Sequence, residues 1–117
     1  MLASLENAVQ SVPGGRAAIL MGFDGIPVEA FNGDGSLDVE TVGMELSVVA
    51  KEIRKAVELL EAGATEEVMI RSEVMSAVLR TLGEEYFLVL ILDPKGNVGK
   101  ARYVMRSIAP KLTEELV

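Results

Sequence analysis

Ala17-Ala18-Ile19-Leu20-Met21-Gly22-Phe23-Asp24-Gly25-Ile26-Pro27-Val28-Glu29-Ala30-Phe31 is the stretch that decides how this chain folds. Two apolar runs of strand length flank Asp24-Gly25, and Asp-Gly between such runs is a strong short-range hairpin signal. The turn that this signal specifies takes both of its residues to positive φ. Pro27 lies inside the second run and has no N–H to give to a ladder, so this strand is expected at a sheet edge or to begin at Pro27.

Toward the N-terminus, Val12-Pro13-Gly14-Gly15 is helix-ending punctuation. Before it, Leu2, Leu5, Val9 and Val12 recur at spacings of three and four, the pattern of a short amphipathic helix. Toward the C-terminus, Asn32-Gly33-Asp34-Gly35-Ser36 reads as a loop. A long helical pattern then runs from about 37 to 62, where Gly63 stops it. Ser36 or Asp38 is expected to cap it. Val42, Leu46, Val49, Ile53, Val57 and Leu60, with Ala56 beside them, form the stripe expected to face the core.

Three strand-like runs follow, at roughly 67–72, 76–82 and 85–92. Gly83-Glu84 turns between the last two. Asp93-Pro94-Lys95-Gly96 breaks the chain, and Asn97 is placed to cap a final helix with a stripe of Val98, Ala101, Met105, Ile108, Leu112 and Leu116. Pro110 inside that pattern predicts a kink or an early end near Ala109. The order α-β-β-α-β-β-β-α predicts an α/β (α+β) fold: a five-stranded, mainly antiparallel sheet sandwiched between helices. No repeat or linker divides residues 1–117, which read as a single domain.

Composition narrows the function. The chain has no Cys and no His, so a disulfide, a thiolate metal site and a Ser-His or Cys-His nucleophile pair within the chain are excluded. Asp and Glu number 18 against 11 Lys and Arg, which argues against nucleic acid and anionic membranes as partners. The first residues lack a basic segment, and the longest apolar run, 86–92, is too short for a membrane-spanning helix. A cytoplasmic location is expected.

Three constellations invite chemical readings. The stretch 93–101 follows a strand and opens a helix, as a phosphate-binding loop does. That motif needs Gly where Pro94 stands and Ser or Thr where Ala101 stands, so a turn and helix cap is the better account. The stretch 32–43 has Leu37 and Gly43 where a calcium loop needs Gly and Glu. The carboxylate pairs Glu66-Glu67, Glu84-Glu85 and Glu114-Glu115 fall at predicted turns or near the last residues, where acids are solvated. No catalytic residue, metal site or cofactor is expected.

Val12-Pro13-Gly14 after a short helix, then a strand and Asp24-Gly25-Ile26-Pro27-Val28, resembles the opening of a Roadblock/dynein light chain domain. Val68-Met69-Ile70-Arg71 after the long helix is similar to that family too, as is Asp93 through Asn97-Val98-Gly99-Lys100 before the last. The resemblance covers residues 2–115. Two features depart from the pattern: Ser72-Glu73-Val74-Met75 lacks the Gly that many relatives place there, and Pro110 stands in the last helix.

The resemblance implies a non-enzymatic homodimer or heterodimer in which third strands pair across a two-fold axis and second helices lie side by side. It also implies a small Ras-like GTPase as partner, docked and activated in its GTP hydrolysis. The alternative is a passive scaffold, or an adaptor of the dynein light chain kind. An arginine supplied in trans can accelerate GTP hydrolysis; Arg16, Arg54, Arg71, Arg80, Arg102 and Arg106 are available, and the sequence does not choose among them.

The residues add a signal of their own. On a helical wheel Met44, Val48 and Leu59 fall together, away from the expected core stripe, with Lys51, Glu52 and Lys55 around them. A helix covering one sheet does not need such a strip, whereas a partner surface does. If 67–72 is an edge strand, Val68 and Ile70 face one side, Met69 and Arg71 the other, and its unpaired backbone is open to a second copy.

Overall fold

The computed structural model describes residues 1–116. Its elements are α1 (Leu2–Ser11), β1 (Gly15–Gly22), β2 (Pro27–Asn32), α2 (Val39–Leu59), β3 (Glu67–Arg71), β4 (Ser76–Leu82), β5 (Tyr86–Leu92) and α3 (Val98–Glu115). The strands form one sheet in the order β2-β1-β5-β4-β3, and every neighbouring pair is antiparallel. The strands with the longest uninterrupted apolar runs, β1 and β5, pair with each other at the centre. Strands buried on both faces have no place for alternating polar residues. The more polar β2 and β3 take the edges, and β2 starts at Pro27, so both expectations for that proline hold.

The core lies in two layers. Leu5 and Val9 of α1, and Met105 and Leu112 of α3, pack with Leu20, Leu88 and Leu90 on one face. Leu46 and Ala50 of α2 pack with Ile19, Met21, Phe23, Phe87 and Val89 on the other. The phenylalanine rings of Phe23 and Phe87 meet at 5.1 Å.

The hairpin at Asp24-Gly25 forms by a different turn. Gly25 alone has positive φ, 87°. The amide of Gly25 donates to the Gly22 carbonyl at 3.0 Å, and that of Gly22 to the Ile26 carbonyl at 2.9 Å. Asp24 Oδ1 accepts from the amide of Ile26 at 3.0 Å. The connection is thus three residues long, and the β1–β2 register shifts just before it, the arrangement in which glycine occupies the left-handed position. Phe23, the first residue of the connection, keeps its amide on the Glu85 carbonyl at 2.8 Å and its ring in the core.

At the end of α1, Gly14 has φ +85°, and a Cβ there would lie 2.6 Å from Gly96 Cα. The Pro13-Gly14 corner crosses the 93–97 turn, taking hydrogen bonds from the amides of Asp93 (to Gly14, 2.8 Å) and Asn97 (to Pro13, 2.9 Å).

Three further local features bear on the sequence expectations. Of the two cap candidates for α2, Asp38 serves: its carboxylate accepts from the Thr41 amide at 3.2 Å and hydroxyl at 2.8 Å. Ser72, in the glycine-free turn, closes the β3–β4 hairpin with its amide (2.9 Å) and hydroxyl (2.7 Å) on the Met75 carbonyl. Finally, α3 does not end near Ala109 but continues through Pro110 to Glu115. A proline there forfeits one bond, to the carbonyl four residues back. Beyond it, buried Leu112 and the Thr113 hydroxyl on the Ala109 carbonyl (2.8 Å) hold the last turn.

Candidate interaction surface

The long helix sits on the sheet by its small residues. Its buried positions are Val39, Gly43, Leu46, Ser47 and Ala50. A Cβ on Gly43 would lie 2.7 Å from Met21 Cε, so the helix backbone approaches β1 closely at this point. This turns the helix by roughly 60° from the expected orientation at about 100° per residue. Val42, Ile53 and Val57 become half-buried flanks, and Val49, Ala56 and Leu60 are exposed. The expected core stripe is therefore corrected: Leu46 is its one fully buried member. Hydrophobic periodicity weights large residues, whereas the close approach needed Gly43, Ser47 and Ala50.

Apolar residues consequently face outward on α2. Met44 (59% exposed), Val48 (54%) and Leu59 (85%) form the strip expected from the sequence; Val49, and Leu60 just past the end of α2, are also exposed, although hydrophobic periodicity assigns them to the core. Lys51, Glu52 and Lys55 are exposed beside the first, with Lys55 Nζ 3.3 Å from Glu52 Oε1.

The edge strand β3 lies at the opposite side of the sheet from β2, and α2 packs chiefly over β1 and β2. Val68 and Ile70 are half-buried against the core under α2, as is Val42 of α2 itself. Met69 and Arg71 are exposed. The alternation expected for this strand is present, and its outer edge has no neighbouring strand. Val74 at the β3–β4 turn, and Ile26 and Val28 on the β1–β2 hairpin, are further exposed apolar residues that the sequence reading did not single out.

The arginines divide by engagement. Arg16 Nε donates to Asp34 Oδ2 at 2.8 Å and lies 3.7 Å from Asp93. Arg54 stacks over the Phe23 ring at 3.8 Å and donates to the Glu84 carbonyl at 2.6 Å. Arg80 and Arg102 share Glu67. Among the described residues Arg71 and Arg106 have no ion-pair partner. The Asp34 and Asp38 carboxyls have lowered pKa values. The Ser36 hydroxyl and amide, then Arg16, bring Asp34 from 3.8 to about 2, and Thr41 lowers Asp38.

The model of the Roadblock/LC7 domain matches residues 1–92, through the last strand of the sheet. The chain belongs to the Roadblock/LC7 family. Solved structures agree. MglC from Myxococcus xanthus is 41% identical over 97% of this chain and 96% of its own, with a TM-score of 0.71. A Roadblock/LC7 domain from Streptomyces avermitilis is 17% identical, covers 99% of this chain and 97% of its own, and superposes at 0.89. The gliding protein MglB from Thermus thermophilus is 20% identical over 96% of this chain and 84% of its own, at 0.84; these last two likenesses bear on the fold alone. Among curated protein sequences none matches significantly. The Roadblock/LC7 match ends before α3, which the likeness to MglC includes. No described helix is long and apolar enough to cross a membrane.

Proposed function

We propose that residues 1–117 act as one domain, a dimeric, non-enzymatic regulator that docks a small Ras-like GTPase and accelerates its GTP hydrolysis. The observation that carries this reading is the exposed apolar surface of α2, and the open edge of β3 adds a second surface. Exposed apolar surface rimmed by charge marks a protein interface. In this reading β3 pairs with its copy, a second α2 covers the flank of Val49 and Leu60, and Met44, Val48 and Leu59, with Lys51, Glu52 and Lys55 around them, meet the partners. Val68, Met69, Ile70 and Arg71 form the strand seam. Dimerisation with a paralogue would use the same seam.

Acceleration comes from holding the GTPase's own switch loops in a productive arrangement, because four of the six arginines are already engaged within the chain. Light scattering gives the oligomeric state. Single-turnover GTP hydrolysis by a small Ras-like GTPase from the same organism, with and without this protein, gives the activity. Met44→Glu with Val48→Glu is expected to abolish docking or dimerisation while leaving the chain folded; a dimeric variant that still docks would sink the reading. Docking with unchanged hydrolysis would leave the alternative, a passive scaffold.

A further inference from the structure

On the sheet face opposite α2, the outer side of α3 is cationic. Between Val98 and Leu112 stand four bases, Lys100, Arg102, Arg106 and Lys111, and no acid, in a chain whose 18 acids outnumber its 11 Lys and Arg. All four are exposed. Arg102 is held by Glu67 at 2.6 Å; among the described residues Lys100, Arg106 and Lys111 have no ion-pair partner.

Lys100, Tyr103, Ser107 and Lys111 follow one another at spacings of three, four and four, so they form one stripe along the helix. The stripe is about 16 Å long at 1.5 Å rise per residue. Tyr103 is 58% exposed, and Lys100 Nζ lies 5.6 Å from its ring centroid. Beside the stripe a groove of about 420 Å³ runs between α3 and α1, walled by Ser107 and Lys111 on one side and Ser4, Asn7 and Ser11 on the other.

We propose that this stripe docks a short acidic segment of another protein, whose carboxylates meet Lys100 and Lys111 and whose apolar residue rests on Tyr103. Charge complementarity selects the occupant. At physiological salt a charge is felt over about 8 Å, so a short acidic segment senses chiefly the stripe, with the exposed Glu114 one turn beyond Lys111 bounding it on the same face. A nucleic acid or a bilayer extends well beyond the stripe and meets the net charge of −7. An exposed aromatic ring flanked by cations also has the composition of an interface anchor. The stripe lies across the sheet from α2, so both surfaces can be occupied together. Docking on the stripe requires no GTPase, and a dimer would present the stripe twice.

The test is fluorescence anisotropy with a labelled Glu-Glu-Glu-Leu-Glu-Glu-Glu peptide, which spans the stripe when extended at about 3.3 Å per residue. The expected result is saturable binding that weakens with salt. It should fall about tenfold or more in K100E/K111E and severalfold in Y103A. Amide chemical-shift changes should centre on α3. K100Q/K111Q, which keeps good helix formers, should lose affinity in the same direction if the reversed-charge variant fails to fold. No binding, undiminished binding by the folded lysine variants, shifts centred on α2, or equal affinity for phosphatidylserine vesicles would each overturn the proposal.

Discussion

Beneath α1 and α3 the sheet is sealed by large side chains: Leu5, Met105 and Leu112 are almost wholly inaccessible. Beneath α2 the contact is made largely by Gly43, Ser47 and Ala50, and the larger Met44, Val48, Val49 and Leu59 point away from the sheet. One layer spends its apolar surface within the monomer and the other holds much of it outside. Residue hydrophobicity alone does not tell a core from an interface. The size of the residues between helix and sheet does, because small ones bring the backbone close and leave the large ones without a place inside.

The largest expected effect lies in the sealed layer. Leu112→Ala empties a fully enclosed site and should lower unfolding free energy by about 2–5 kcal/mol in urea, whereas Met44→Ala should change the monomer by less than about 0.5 kcal/mol. Similar losses at the two sites would erase the distinction between the faces.

Next is the seam itself. Gly43→Leu drives a side chain into Met21 and should cost about 1–3 kcal/mol. Gly43→Ala should be far milder, since the gain in helix propensity, about 1 kcal/mol, offsets the crowding of a flexible methionine end. An unchanged Gly43→Leu midpoint would mean that α2 does not approach the sheet as described.

The caps sharpen the comparison further. Asn97 accepts from the Lys100 amide at 2.9 Å at the start of α3, as Asp38 does from Thr41 at the start of α2. Asn97→Ala and Asp38→Ala should each cost about 1 kcal/mol. Denaturant titration that finds either substitution neutral would remove that cap from the account.

The smallest effect is a pH dependence in the loop leading to α2. Asp34 is depressed to about 2, so its carboxylate stabilises the fold above its ordinary value, and that contribution is lost as pH falls from about 4 through about 2. The stability difference between this protein and Asp34→Asn should be full at neutral pH and narrow across that window. A gap that stays constant on acidification would contradict the hydrogen bonds from Ser36 and Arg16.

Much of the fold was legible because its signals are local. Asp24-Gly25, Val12-Pro13-Gly14 and Asn97 act within a few residues of themselves, and the element order followed from them. Of the two outcomes that Pro110 predicts, the early end fails because the buried Leu112 beyond it outweighs a single lost hydrogen bond. The turn at Asp24 misled because Asp24-Gly25 signals a two-residue connection, whereas Phe23 joins them in a three-residue one that needs positive φ at Gly25 alone. Of the candidate surface, Met44, Val48 and Leu59 were legible as surplus on a wheel, and Val49 and Leu60 were not.

The sequence by itself determined the eight elements, the antiparallel class of the sheet and the acidic, His- and Cys-free chemistry, since each rests on short-range geometry or composition. Only the tertiary structure decided the strand order, the rotation of α2 on its small-residue seam and the placing of the cationic side of α3 across the sheet from it. Those depend on which distant backbones can approach, and that is settled by packing among all the elements at once.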